Sequence, residues 1–187
     1  MNFRTHYELE GTHALFGASQ YHWLNDTPED LAARYRSMMA KQHGTELHEF
    51  AAQCIKNKRK LRGMDTLAQY VNDGIGFNMK PEVVLRYSEF CYGCADTIHF
   101  NEDNNFLRIH DLKTGKIPAH MEQLEIYASL FCLEYGFKPG DIEMELRIYQ
   151  NNDILIANPT AEVILPVMNQ IIIADDIAKQ IHSEESY

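Results

Sequence analysis

The sequence predicts an α/β domain in which a mixed central β-sheet carries one β-hairpin and is flanked by helices. Three observations point there. Residues 92–115 hold two runs of β-type alternation around a polar turn at 101–105. Helical stripes lie on either side of that hairpin in the chain: Leu47, Phe50, Ala51, Cys54 and Ile55 before it, Leu124, Ala128, Leu130 and Phe131 after it. A third alternating run sets Ile142, Met144, Leu146 and Ile148 against Glu143, Glu145, Arg147 and Tyr149, as in a half-buried strand.

In chain order, residues 1–13 are mixed and polar and read as a loosely attached arm. Ser19 is placed to cap a short helix within 14–23. Thr27 is an N-cap, with Pro28 at the first helical position and Glu29 and Asp30 in the first turn; this helix runs to His43 and Gly44 punctuates it. A second helix covers about 45–57, with His48 at the edge of its apolar stripe, and a third covers 67–73, ended by Asn72-Asp73-Gly74. A short strand spans 81–87. After the hairpin, 118–135 is helical and Gly136 caps it. Glu122, Glu125 and Ser129 line a polar face of that helix, and Gln123 and Tyr127 fall on the apolar side. Residues 154–157 read as a more buried strand, and a last helix runs from about Pro166 to His182.

The hairpin's register follows from its side chains. With the turn centred between Asp103 and Asn104, Ile98 opposes Ile109 and Phe100 opposes Leu107 on an apolar face. Thr97 opposes His110 and His99 opposes Arg108 on a polar one. The same register sets Asp96 against Asp111 on the apolar face, with Lys113 further along it. Facing like charges destabilise a ladder, and carboxylates at the end of a buried face are costly unless paired or metal-bound. A hard divalent cation, Mg²⁺ or Mn²⁺, with the ammonium beside it, resolves both costs. A solvated surface hairpin with an ordinary lysine ion pair fits the same residues. His48 likewise suits either a site at the rim of the core or a bond to a backbone carbonyl, and Gln123 either a site or a backbone partner.

The chain has 187 residues, 45% of them hydrophobic, which fits one domain, 1–187. No run approaches the ~18 apolar residues of a membrane span, and no apolar core follows Arg4 and His6 as in a signal peptide. Four cysteines without a secretory signal read as reduced thiols of a cytoplasmic protein. A net charge of −10 argues against a general electrostatic grip on nucleic acid, but Lys56, Lys58, Arg59, Lys60 and Arg62 form a local basic run. That run is either a solvated helix end or a track for phosphates.

Four segments stand in order: Gly44-Thr45-Glu46-Leu47-His48, Gly93-Cys94-Ala95-Asp96, Asp111-Leu112-Lys113-Thr114-Gly115 and Gln123-Leu124-Glu125-Ile126-Tyr127. Together they resemble the PD-(D/E)XK nuclease superfamily, and within it the RecB-like branch that includes phage recombination exonucleases and CRISPR-associated adaptation nucleases. The resemblance covers about 14–182 and implies a restriction-endonuclease-like core. It implies that His48, Asp96, Asp111 and the Leu112 carbonyl ligate Mg²⁺ or Mn²⁺, and that Lys113 orients or activates the attacking water. Gln123 and Tyr127 would steady the site and contact the scissile strand, and Lys116 would join the basic run on the nucleic acid. Some relatives carry an iron–sulfur cluster. None is expected here, because a cluster usually needs four thiolates and only Cys91 and Cys94 are near one another in the chain.

The expected activity is therefore a metal-dependent DNA exonuclease of the phage type, acting in recombination, repair or processing in the (host) cytoplasm. An endonuclease or adaptation-type nuclease on the same site, an RNA-processing enzyme and a catalytically silent nucleic-acid-binding subunit are the competing readings. The resemblance also implies as partners single- or double-stranded DNA, further copies of the chain in a ring, and a single-strand annealing or other recombination protein.

Overall fold

The computed structural model describes residues 4–185. The chain divides between Thr45 and Glu46 into two compact units. In the first, a 3₁₀ segment at Ala18–Asn25 takes the place of the expected short helix. Its cap position is Gly17 rather than Ser19, and the Trp23 indole donates to the Gly17 carbonyl at 3.1 Å. Thr27 caps α1 (Pro28–Lys56) as expected: its Oγ1 accepts from the Asp30 N–H at 3.2 Å, and Asp30 returns the bond to the Thr27 N–H at 3.2 Å.

The division expected at Gly44 is absent, because α1 runs through it as one helix to Lys56. Glycine in a helix costs only about 1 kcal/mol and, unlike proline, keeps its hydrogen bond. Lys58 ends α1 instead. It takes φ 54°, with Lys58 N–H on the Ile55 carbonyl (3.0 Å) and Arg59 N–H on the Cys54 carbonyl (2.8 Å). The same closing motif recurs after α2 (Thr66–Gly76), where Asn78 takes φ 54°. That helix also runs through its expected stop at Gly74, and for a packing reason. A Cβ on Gly74 would stand 2.7 Å from Ile55 Cδ1, so the glycine lets α2 lie close to the end of α1.

The second unit is built on a five-stranded mixed sheet in the order β1-β2-β3-β4-β5, with β1 (Lys80–Arg86), β2 (Tyr92–Asn101), β3 (Phe106–Leu112), β4 (Glu143–Gln150) and β5 (Asp153–Ala157). All neighbours are antiparallel except β3 and β4, which are joined through α3 (Glu122–Tyr135) and run parallel. Thr97↔His110, Ile98↔Ile109, His99↔Arg108 and Phe100↔Leu107 pair in the predicted register. Helices cover both faces. One core joins Ile98, Leu107, Ile109, Leu146 and Ile148 to Leu124, Ala128 and Phe131 of α3 and to Ile164 of α4 (Ala161–Glu185). The other joins Leu112 and Tyr149 to Ala51, Cys54 and Ile55 of α1 and to Tyr70 and Val71 of α2.

Several expectations are corrected, the first by that second covering layer. Thr97 and His110, read as a polar solvent face, are fully buried beneath it. β5, read as a buried strand, is an edge with Leu155 and Ile156 about half exposed, because only β4 pairs with it. Phe50 is 44% exposed rather than part of the core stripe. α4 begins at Ala161, before Pro166, which sits inside it and forfeits one backbone bond. α3 begins at Glu122, leaving 114–121 as a loop, and Ser129 is buried, its hydroxyl donating to the Glu125 carbonyl at 2.8 Å.

Under α2 the half-buried charged groups, with Tyr149 and His110, form one network. Arg147 bridges Glu145 (2.9 Å) and Asp73 (3.2 Å), Arg108 donates to Glu145 at 2.6 Å, and the Tyr149 hydroxyl donates to Asp73 at 2.7 Å. Burial works against the Glu145 charge, but the two guanidiniums outweigh it and hold its carboxyl below the usual range. His110 shares the Tyr149 hydroxyl through Nδ1 at 3.3 Å, while its Nε2 has no partner. Burial, with Arg147 and Arg108 nearby, pushes its pKa down to about 2, so the ring is neutral in the folded protein. The unfolded chain takes that proton near pH 6.5. Between the two values the unfolded state binds more protons, so stability falls as pH falls, by up to about 1.4 kcal/mol per pH unit from this group. Urea unfolding of the wild type and His110→Phe across pH 7 to 4 should show this excess acid sensitivity in the wild type alone. Equal slopes would place a charged imidazole in the core.

Candidate active site

The predicted site residues come from four segments of the second unit. His48 lies on the last turns of α1, where its position at the edge of the apolar stripe leaves it half-buried. Its Nδ1 stands 3.2 Å from Asp96 Oδ2. The hydrogen bond to Asp96 is the main reason the imidazole's pKa is raised, aided by the charges of Asp96, Asp111 and Glu82 and opposed by burial.

Asp96 and Asp111 come together where the hairpin ladder ends. The register would pair them, but the β2–β3 pairs stop at Thr97↔His110. The Leu112 N–H turns instead to the Asp96 carboxylate, donating to Oδ2 at 2.9 Å. Asp96 also falls in a gap of the β1–β2 ladder, between Pro81↔Thr97 and Val83↔Ala95, where Glu82 adopts φ 55°. Ala95 and Ile98, three residues apart, both belong to the core that contains α3, so the pleat changes face across this gap. A positive φ on a non-glycine residue is strained. Here it accompanies the break that frees Asp96 from regular pairing.

Asp111 is 1% exposed. Burial first, then the Asp96 charge, push its carboxyl up to about 6, against the pull of Lys113 and His48. The Lys113 ammonium donates to Asp111 Oδ1 at 3.1 Å and lies 2.9 Å from Oδ2, but without hydrogen-bond alignment to Oδ2, which is buried and unpartnered. Lys113 donates also to Gln123 Oε1 at 2.6 Å, and Gln123 Nε2 donates to the Tyr127 hydroxyl at 3.0 Å. Gln123 is thus exposed rather than on the apolar side of α3, and Tyr127 is half-buried. The two share a side chain-to-side chain chain of bonds because four residues of helix set them one above the other. Tyr127 in turn lies over Gly93 on β2. A Cβ there would stand 2.8 Å from Tyr127 Cε1, so this ring position requires a glycine.

The structure therefore brings together His48 with Asp96, and Asp111 with Lys113, Gln123 and Tyr127. Leu112 links the two groups through its backbone, buried between Asp111 and Lys113. Among the described residues no three His, Cys, Asp or Glu side chains are grouped to hold an ion as they stand. Each carboxylate stands against its nearest basic side chain, Asp96 against His48 and Asp111 against Lys113. The donor set still fits a hard divalent cation: two carboxylates and an imidazole, with one buried carboxylate oxygen lacking a hydrogen-bond partner. Sequence reasoning missed Glu82, whose charge acts on His48 and Cys94 and whose carboxylate accepts from the Cys94 thiol at 3.5 Å. Nothing in the strand pattern 80–86 separates it from an ordinary solvated acid. The basic run lies at the end of α1 and in the loop after it, with Lys56, Lys58, Arg59, Lys60 and Arg62 all exposed; Lys116 is exposed in the loop after β3.

Comparison with known protein families, with curated proteins and with solved structures finds no match to this chain.

Gly93→Ala should destabilise the protein by about 1–3 kcal/mol through this overpacking. In a double-mutant cycle, most of that penalty should vanish when Tyr127→Leu is also present. Additive penalties in urea unfolding would mean that the ring does not depend on the glycine.

Proposed function

We propose that this chain is a divalent-metal-dependent nuclease of the PD-(D/E)XK kind, with a restriction-endonuclease-like core, hydrolysing DNA phosphodiester bonds and acting as an exonuclease. The observation that carries the reading is the joining of two separate acid–base pairs, His48–Asp96 and Asp111–Lys113, across one backbone bond at the end of the hairpin. A salt-bridged surface hairpin would not bury Asp111 or draw a histidine from a distant helix onto Asp96.

His48, Asp96, Asp111 and the Leu112 carbonyl would hold Mg²⁺ or Mn²⁺, which when bound supplies a more acidic water and charge to offset the phosphate. The remaining work falls to the chain. Asp111 is electrostatically primed for a cation, because burial and Asp96 both disfavour its charge as it stands. Lys113, held on two sides by Asp111 and Gln123, keeps its third donor direction for the attacking water or a phosphate oxygen. That fixed placement is the positioning and charge stabilisation that phosphoryl chemistry needs. Gln123 limits the ammonium's freedom, and Tyr127 fixes Gln123 while presenting a ring beside β2 to the strand. The exposed Lys56–Arg62 run and Lys116 would hold phosphates away from the scissile bond.

End-labelled linear duplex and single strand, incubated with Mg²⁺, Mn²⁺ or EDTA, test this directly. Cutting should need the metal, release nucleotides from ends, and spare covalently closed circles. Asp111→Ala should lose at least about 10²-fold in rate, and Lys113→Ala a comparable amount. Undiminished cutting by Asp111→Ala would put the chemistry elsewhere, and cutting of closed circles would make the enzyme an endonuclease.

A further inference from the structure

β5 (Asp153–Ala157) is an outer strand of the sheet, paired on one side with β4. Which of its backbone groups face outward follows from its neighbours. The Tyr149 carbonyl accepts from the Lys113 N–H at 2.9 Å, on the β3 side of β4. Backbone groups alternate sides along a strand, so Ile148 and Gln150 face β5 and bond their register partners Leu155 and Asp153. Ile154 and Ile156 therefore turn their N–H and C=O groups to the open edge. What meets them there is local: the Ile154 N–H donates to Asp153 Oδ1 at 2.8 Å. An anchored turn presents the strand. Asn151 and Asn152, at φ 53° and 62°, form the two-residue hairpin connection into β5. Asn152 Oδ1 accepts from the Thr66 N–H at 3.0 Å, and Gln150 Nε2 donates to the Gly115 carbonyl at 2.6 Å. The hairpin is thereby tied to the start of α2 and to the loop after β3.

Sheet edges are ordinarily guarded by charge, proline or a broken backbone. β1, the opposite edge, has all three: Lys80 and Arg86, Pro81, and Glu82 at φ 55°. Its Arg86 N–H is also taken by the Glu134 carboxylate at 2.8 Å. β5 has only Asp153 at its start, and Ile154-Leu155-Ile156-Ala157 is uncharged in a chain of net charge −10. Leu155 and Ile156 are 53% and 48% exposed. They lie on opposite faces of the sheet, Leu155 beside Ile148 on the α3 side and Ile156 beside Arg147 on the α2 side.

The strand also fits itself. Laid antiparallel on a copy, with Leu155 on the twofold axis, Ile154 falls opposite the copy's Ile156. These are the two outward-facing residues, so each such pair exchanges two backbone hydrogen bonds and the axis supplies the second pair. The two Leu155 side chains meet across the axis in the closer, non-hydrogen-bonded kind of pair, and four isoleucines line up on the other face. Asp153 falls opposite Ala157, so no like charges face each other along the strand. A shift of one residue would set outward groups against inward ones. This register alone opposes the whole strand to the whole strand.

We propose that β5 is a self-association edge, pairing antiparallel with β5 of a second copy of this chain about a twofold axis at Leu155 and joining two five-stranded sheets into one. Such a contact uses the same surface on both chains, so it closes at two, unlike a head-to-tail ring. It stands apart from the nuclease reading, since no residue of the candidate active site lies on β5.

Sedimentation velocity of the full chain tests this, from micromolar to submillimolar loading at physiological ionic strength, where repulsion between acidic surfaces is screened over about 8 Å. The wild type shifts with concentration toward twice the 21.7 kDa of one chain. Leu155→Lys and Leu155→Glu each set like charges face to face and weaken the association at least about tenfold. An equimolar mixture of these two variants regains the two-chain mass, a rescue that a misfolded chain would not give. Ile156→Pro removes an outward N–H, leaves the bonds to β4 in place, and also weakens association at least about tenfold. The variants are compared at a temperature where circular dichroism shows them folded. A wild type that stays at one chain across the range overturns the proposal, as does a three-chain species. So do dimers that persist unchanged in all three variants, or charge variants that fail to recover on mixing.

Discussion

The Leu112 N–H bond to the Asp96 carboxylate is the contact around which the second unit's chemistry is arranged. A regular ladder continued by one more pair would set two aspartates face to face and bond their backbones to each other. The chain instead ends the ladder one pair early, and a side-chain oxygen replaces the missing backbone acceptor. Each carboxylate then meets a basic side chain, Asp96 the His48 imidazole of α1 and Asp111 the Lys113 ammonium just past the end of β3. The arrangement works only because β1 also yields at this height, where Glu82 leaves the extended region and the β1–β2 pairing skips a rung.

Two covering layers hold this broken corner in place. On one face α3 packs by Leu124, Ala128 and Phe131 and carries Gln123 and Tyr127 to the lysine; Gly93 permits the approach of the tyrosine ring. On the other, the ends of α1 and α2 meet over Leu112 and Tyr149, brought close by the missing side chain at Gly74. That second packing places His48 against Asp96 of β2. Burying Thr97 and His110 and half-burying the arginine–carboxylate network beneath it is the cost, met with paired charges and one neutral imidazole.

Much of this was legible in the chain. Alternation with period two set the hairpin register, since a slip by one residue would have turned Ile98, Phe100, Leu107 and Ile109 outward. The capping box at Thr27 and the αL position at Gly136 marked helix ends correctly. The ends at Gly44 and Gly74 were misread because a glycine is only a weak helix breaker, and its use at Gly74 is a contact with Ile55 that no local pattern encodes. Thr97, His110 and Arg108 looked like a solvent face because polar residues alternate there; Thr97 and His110 are buried and Arg108 is half-buried because α2 folds back over them. Glu82, Gln150 and Asn152 carry no local mark at all. Their roles come from a backbone angle and from partners 12 to 86 residues away.

The sequence by itself determined the strands, the approximate helices and the register of one hairpin: hydrophobic period and turn chemistry are local, and they specified a mixed α/β unit with two aspartates and a lysine on one face of that hairpin. Tertiary structure decided which acids share a corner, which histidine reaches them, and which basic side chain each one faces. The reason is physical. Burial, desolvation and the loss of a ladder rung are properties of groups brought together across the fold, and a carboxylate's partner is set by what the packing leaves within about 3 Å of it.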